Sequence, residues 1–303
     1  MDTFLSESAK NTILYDAPQA VCDRVKEMSG ERFIITLKRS GKTEKLLNDV
    51  NEGVVECGYN GIYYSTKKLK ILYFGCAIPF GLNPQEQNAW LYYKKDQDQG
   101  LEAQTFMQSI YSRLNLNIVA FPAGATGGQA GGWSREPVNS INDFKNKTMR
   151  IPGFEAEVIQ KFGARTHDQL IESISIDKLI RRLKDGGNGR FDAVEWTGPH
   201  DDLILVLDKA VKFYYFPGWW EPNTTFEVQV NKKAWEHLSP EYREIFKAAC
   251  SEVHMSTLAQ YVSLNSKALK ELKEKIPETG IQLMQFNDDI LKAARDETIK
   301  LLD

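Results

Sequence analysis

Several absences narrow this 303-residue chain before any motif is read. No apolar run approaches the roughly 20 residues that a helix needs to span a bilayer. Neither charge sign dominates: 38 Lys and Arg stand against 41 Asp and Glu, for a net charge of −3, and no long basic run occurs. Nucleic acid and anionic membrane are thereby excluded as main partners. Cysteine is scarce, and Cys22, Cys57, Cys76 and Cys250 form no CxxC pair. They fit neither a zinc site nor a dense disulfide framework, and are expected to be buried thiols. His167, His200, His237 and His254 lack the HExxH spacing of a metalloprotease and are expected at the surface or in caps. There is no GxSxG elbow, P-loop or dinucleotide fingerprint, which leaves little for an enzyme to work with. The opening MDTFLSESAKNT has neither a basic nor an apolar leader region. The expectation is a cytosolic chain or one whose leader has been removed.

What is present begins with length, which favours two domains of about 150 residues each. Apolar residues recur at helical spacing from Ala17 to Met28, where Ser29-Gly30 ends the pattern. Phe33–Leu37 and Val54–Cys57 are expected as strands, with a short helix over Thr43–Asn51 between them. That alternation suggests an α/β fold with a parallel sheet and covering helices. Asn83 and Pro84 supply an N-cap and a first helical residue for a helix running through Trp90 to Tyr93. A second helix is expected over Glu102–Leu114, delivering the chain to a buried strand at Leu116–Phe121.

The stretch Ala120–Arg150 is where the chemistry is expected. Gly124, Gly127, Gly128, Gly131 and Gly132 crowd together, and glycine serves where backbone needs φ > 0 or close approach. Gln129 and Trp133 stand among them. A second strand, Thr148–Ile151, then carries Arg150 between apolar neighbours. Arg is rarely buried without an anionic partner, so a glycine loop with an amide and a half-buried Arg suggests a small-carboxylate site.

Downstream, helices are expected over Phe154–Phe162, with Gly163 as its stop, and Ser175–Leu183, followed by a mobile Lys184–Gly189 loop. Phe191–Trp196 and Phe226–Val230 read as strands; between them Val206–Leu207 and Val211–Phe216 continue the apolar pattern, and an aromatic turn, Pro217-Gly218-Trp219-Trp220-Glu221-Pro222, follows. Ser239 and Pro240 open a helix expected to run uninterrupted to Pro277, on the order of 50 Å long and crossing between domains. Asn287–Leu302 is expected as a last amphipathic helix.

Five blocks in order resemble the solute-binding proteins of tripartite ATP-independent periplasmic (TRAP) transporters, in the branch that binds 2-oxo and 2-hydroxy monocarboxylates. They are Pro79–Tyr93, Ala120–Trp133, Met149–Gly153, Phe191–Pro199 and Tyr214–Thr225, within a resemblance running from about Thr3 to Asp303. The resemblance implies a two-domain periplasmic-binding-protein-like α/β fold with the ligand in a cleft that closes around it. Residues 1–120 with about 208–250 would form one domain and 121–207 with about 251–303 the other, the helix from 239 to 275 being shared. It further implies a periplasmic protein whose signal peptide has been removed, a membrane permease as partner, and a homodimer in some relatives.

By the same resemblance, Arg150 would bind the ligand carboxylate through two parallel charge-assisted hydrogen bonds. Gln129, the backbone carbonyl of Trp196 and Glu221 would hold a metal bridging protein and ligand. Those are hard oxygen donors, suited to Na⁺ or Ca²⁺ and not to zinc. Glu195 would be a supporting carboxylate or a plain strand residue; Phe80, Asn88 and Trp220 are candidate ligand contacts. The link from Ala164 to Phe191, with Ser173-Ile174-Ser175-Ile176-Asp177 and Gly187-Asn188-Gly189, departs from the family pattern. The alternatives are a binding protein for another organic acid or sulfonate, one serving a sensor or an ABC permease, and a metal-dependent enzyme using Glu221 and Glu195.

Overall fold

The structure is a computed structural model, and it describes residues 1–41, 45–93, 105–167, 176–184 and 189–303. The start of the expected helix at Glu102, the Ser173–Ser175 departure and most of the Lys184–Gly189 loop lie outside the described residues.

Two compact units emerge. The first comprises Met1–Cys76, Leu82–Ala125 and Thr225–Ala259, and the second Ala77–Gly81, Thr126–Thr224 and Gln260–Asp303. The first holds a sheet ordered β1-β2-β9-β3, from β1 (Asp2–Thr3), β2 (Cys57–Asn60), β3 (Ile118–Ala125) and β9 (Thr225–Asn231). β1 pairs parallel with β2, while β9 runs antiparallel to both β2 and β3. The sheet is therefore mixed, where a parallel one was expected. Phe33–Leu37 forms no ladder strand; an isolated bridge joins Lys38, just beyond it, to Asp2. The strand expected at Val54–Cys57 begins instead at Cys57.

β3 corrects the sequence reading in another way. It is an edge strand, half-buried from Val119 to Pro122, with its register shifting between Pro122 and Gly124. An edge position and a bulge are where proline is tolerated, because its missing N–H costs no ladder bond there. The first unit's core includes Phe4, Tyr59 and Phe226, whose rings stack at 5.8 to 6.4 Å.

The second unit holds a six-stranded mixed sheet ordered β10-β8-β4-β7-β5-β6. Its strands are β4 (Gly132–Ser134), β5 (Thr148–Arg150), β6 (Arg165–His167), β7 (Ala193–Val194), β8 (Phe213–Tyr215) and β10 (Gln282–Met284). β8 is bonded to β4 and β10, so residues 208–224 belong to the second unit and not, as the sequence reading had them, to the first.

Helix boundaries follow local chemistry closely. The Asn83 side chain accepts from the Gln85 and Glu86 amides, a capping box that starts the Pro84–Tyr92 helix. Gly163, at φ +86°, stands just beyond the Gly153–Lys161 helix. The long helix spans Pro240–Thr279, 40 residues, of which the residues up to Ala259 count with the first unit and the rest with the second. It passes through Pro277 instead of stopping there.

Candidate functional site

The cluster that matters lies wholly in the second unit, where three segments are stitched together by backbone hydrogen bonds. In the glycine loop, Gln129 N–H donates to the Glu221 carbonyl (3.1 Å) and Ala130 N–H to the Thr197 carbonyl (3.1 Å). Gly131 N–H donates to the Tyr215 carbonyl (2.7 Å), and Gly218 N–H to the Gln129 carbonyl (2.9 Å). Side chains beyond glycine would not fit: a Cβ at 131 would sit 2.6 Å from that of Tyr215, and one at 218 would sit 2.6 Å from the Ala130 oxygen. Close backbone approach is thus what the loop glycines provide.

Arg150 ends β5, paired with Val194 of β7, and that register puts the following residue, Glu195, beside the guanidinium. Arg150 Nη1 donates to the Glu195 carbonyl at 2.7 Å and to Glu195 Oε2 at 2.8 Å. The Arg150 guanidinium carbon also lies 5.0 Å from the centre of the Trp196 ring. Glu195 is thus a direct partner that fixes the arginine's plane.

Gln129 and Glu221 meet through the hydroxyl of Thr224. Gln129 Nε2 donates to Thr224 Oγ1 at 2.8 Å, and Thr224 Oγ1 donates to Glu221 Oε2. This bonding uses the amide nitrogen of one side chain and one carboxylate oxygen of the other. Gln129 Oε1 and Glu221 Oε1 are left buried without a hydrogen-bond partner. Buried polar atoms are seldom left so, and an unpaired acceptor costs about 1–3 kcal/mol. Amide and carboxylate oxygens in that condition fit a hard cation. Among the described residues no three His, Cys, Asp or Glu side chains form a metal-ligand group, so Gln129 is essential to the fit.

A carboxylate that sequence reasoning missed completes the cluster. Glu155, in the first turn of the Gly153–Lys161 helix, lies against the carboxyl group of Glu221, and no donor reaches its Oε1. Gln129, Arg150, Glu155, Glu195 and Glu221 are all exposed by 3 % or less. Burial raises the pKa of Glu155, Glu195 and Glu221, and the proximity of Glu221 raises the first two further, while Arg150 works against the rise at Glu195.

The aromatic candidates divide. Trp220 is fully buried and its Nε1 donates to the Ala130 carbonyl at 3.0 Å, so it braces the glycine loop. Its neighbour Trp219 stacks on Phe80 at 5.3 Å, and the indole nitrogens of Trp219 and Trp196 have no hydrogen-bond partner. Phe80 has φ +57° and donates its N–H to the Trp219 carbonyl, an uncommon backbone setting for an aromatic residue. Asn88 belongs to the first unit and bonds His254 Nε2 at 2.7 Å. His254 is itself a correction: it is fully buried, and burial pushes its pKa down to about 4, where a surface or capping histidine was expected. The four cysteines are buried thiols, as expected.

An α/β unit carrying a buried arginine, an amide and carboxylates, in a chain of two such units, is the equipment of a solute-binding protein. The chain belongs to the DctP family, described as bacterial extracellular solute-binding protein, family 7, whose model matches residues 4–303. It is 41% identical over 280 residues to the monocarboxylate 2-oxoacid-binding periplasmic protein of Nostoc sp., covering 91% of this chain and 71% of that one. A TRAP transporter solute-binding protein from Bordetella bronchiseptica, solved with copurified calcium and picolinate, is similar with a TM-score of 0.84 at 30% identity. That match covers 99% of this chain and 84% of the other. A TRAP periplasmic solute-binding protein from Pseudoalteromonas atlantica, with bound sodium and pyruvate, has a TM-score of 0.84 at 30% identity, covering 99% and 86% of the two chains. The expected fold, family and extracytoplasmic location are borne out, and Na⁺ and Ca²⁺ are the ions these relatives hold. Among the described residues no helix is long and apolar enough to cross a membrane.

Proposed function

We propose that this chain is the extracytoplasmic receptor of a TRAP transporter, capturing a small 2-oxo or 2-hydroxy monocarboxylate together with a cation and passing it unchanged to the membrane permease. The observation that carries the reading is the pair of buried, partnerless oxygens, Gln129 Oε1 and Glu221 Oε1, in the same unit as a buried Arg150. A metal-linked acid uses all of these at once. Its carboxylate is met by the guanidinium, and the cation by Gln129, Glu221 and the Trp196 carbonyl. The likeness to a 2-oxoacid-binding relative and to a pyruvate-bound structure supports the choice of acid. Phe80 and Trp219 offer apolar faces for the short carbon chain; Asn88 and Trp220 remain the further candidate contacts.

The test is a thermal-shift panel of small carboxylates in Ca²⁺, in Na⁺ and in EDTA. A ligand that binds only the folded state at 100 times its Kd adds about 2.7 kcal/mol. Stabilisation by pyruvate or lactate that vanishes with the cation is expected. Stabilisation indifferent to the cation would retain Arg150 and dismiss Gln129 and Glu221, and turnover of the acid would replace a receptor with an enzyme.

A further inference from the structure

Glu155 lies in the candidate site but has no part in the reading given so far. Its side chain is 1 % exposed, and its carboxyl group touches that of Glu221. The backbone makes room for it there: a Cβ at Gly153 would sit 2.7 Å from Glu155 Oε2 and 2.8 Å from Oε1. The carboxylate is therefore folded back over Gly153, whose φ of +78° also favours glycine.

A helix-capping role accounts for only part of this arrangement. A carboxylate in a first helical turn gains from the backbone amides and the dipole there. Such a gain is available in water and does not require burial against another carboxylate. Glu155 Oε1 has no hydrogen-bond partner, and the same holds for Glu221 Oε1 and Gln129 Oε1. The three side chains touch in series, Gln129 to Glu221 through Thr224, and Glu221 to Glu155 directly.

We infer that Glu155 is an additional ligand of the cation and makes this a Ca²⁺ site in preference to Na⁺. The inference rests on the proposed cation-linked site and deepens it. Three carboxyl groups, Glu155, Glu195 and Glu221, are buried in one cluster where the Arg150 guanidinium pairs with Glu195, and an arriving acid adds another negative charge. A monovalent ion leaves most of that charge uncompensated in a low-dielectric interior, where like charges are costly. A divalent ion compensates twice as much, and the affinity of Ca²⁺ for oxygen sites rises with the number of charged ligands. The amide and backbone carbonyl alone would not distinguish the two ions in this way.

The experiment titrates CaCl₂ alone into EDTA-stripped protein by calorimetry, with NaCl against choline chloride at equal ionic strength in a parallel thermal-shift series. Wild type and Glu155→Gln are compared. Wild type is expected to bind Ca²⁺ and to gain little from Na⁺. Glu155→Gln is expected to lose at least tenfold in Ca²⁺ affinity with its Na⁺ response intact or enlarged. Far-UV circular dichroism in EDTA checks the fold, and Glu155→Asp, which keeps the charge, stands in if the amide variant is unfolded; it should retain a preference for Ca²⁺. A variant Ca²⁺ affinity within twofold of wild type, or a wild type indifferent between the ions or binding neither, overturns the inference. Adding pyruvate to Ca²⁺-loaded wild type then separates the two claims. Failure to bind pyruvate, with the Glu155 effect intact, removes the monocarboxylate reading and leaves Glu155 as a calcium ligand.

Discussion

Arg150 and Glu195 form a buried ion pair in which one guanidinium nitrogen, Nη1, contacts both the carboxylate at 2.8 Å and the backbone carbonyl at 2.7 Å of the same residue. The pair makes Arg150→Ala a stability variant as well as a binding variant. Removing one partner of a buried pair typically costs about 3–5 kcal/mol, because the other charge is left without compensation. Arg150→Ala is therefore expected to lose about 3 kcal/mol in urea denaturation near neutral pH and to lose acid binding. Adding Glu195→Gln should restore much of the stability but none of the binding. A double variant that binds acid normally would show that Arg150 is structural only.

Gln129 and Glu221 are expected to act together. Gln129→Ala and Glu221→Gln each remove one of the partnerless oxygens or its charge while leaving the backbone bonds between their segments. Each should abolish most of the cation-dependent thermal shift, at least tenfold in apparent affinity, and the double variant should be little worse than either single one. Groups that share one ion are non-additive in this way. Fully additive losses, measured by calorimetry with the same cation, would place the two residues in separate roles.

Much of this site was legible in the sequence, and the misses have identifiable causes. The amide in a glycine loop and the arginine between apolar strand residues are local patterns, whereas the glutamate of the aromatic turn stands out only through the family resemblance. Glu155 was invisible because a glutamate in a helix's first turn is ordinary dipole chemistry; only tertiary packing buries it. The pairing of Glu195 with Arg150 depends on the β5–β7 register, which no local pattern fixes. His254 did carry a signal that went unused. Cys250, His254, Thr257 and Tyr261 recur at helical spacing on the buried side of the long helix. The mixed sheets were misread because strand–helix alternation says which elements exist and not how β9 returns between β2 and β3.

A pH dependence follows from Glu227 on β9 in the first unit. Burial raises its pKa to about 7 from 4.5, against the opposing hydrogen bonds from Tyr111 and Gln229. The folded state holds this proton up to about pH 7, whereas the unfolded chain releases it near 4.5. The stabilisation is fully present below pH 4.5 and is lost as pH rises to 7, a total of about 3 kcal/mol at roughly 1.4 kcal/mol per unit. Both donors address Glu227 Oε1, which a glutamine would retain as an acceptor. Glu227→Gln should accordingly be more stable than wild type at about pH 8 and no better at pH 4.5. Parallel pH profiles for the two proteins in urea denaturation would rule this out.

Gly132 tests how tightly the glycine loop is held to the strand that presents Glu195. Its φ is +75°, and a Cβ there would sit 2.4 Å from the Val194 carbonyl oxygen and 3.0 Å from Glu195 Cα. Both obstacles are backbone and cannot swing aside. Gly30 is the natural control, with a similar φ of +59° and nothing within 4 Å of where a Cβ would stand. Gly30→Ala should therefore show only the strain of a left-handed backbone, about 1 kcal/mol. Gly132→Ala carries the same strain and must also push β4 away from β7, displacing Glu195 and with it the plane of Arg150. A loss about 1 kcal/mol or more beyond that at Gly30 is expected, together with weakened acid binding that Gly30→Ala does not share. Equal losses with binding intact in both would mean that the loop yields without moving the arginine, and that the site tolerates more slack than its hydrogen bonds imply.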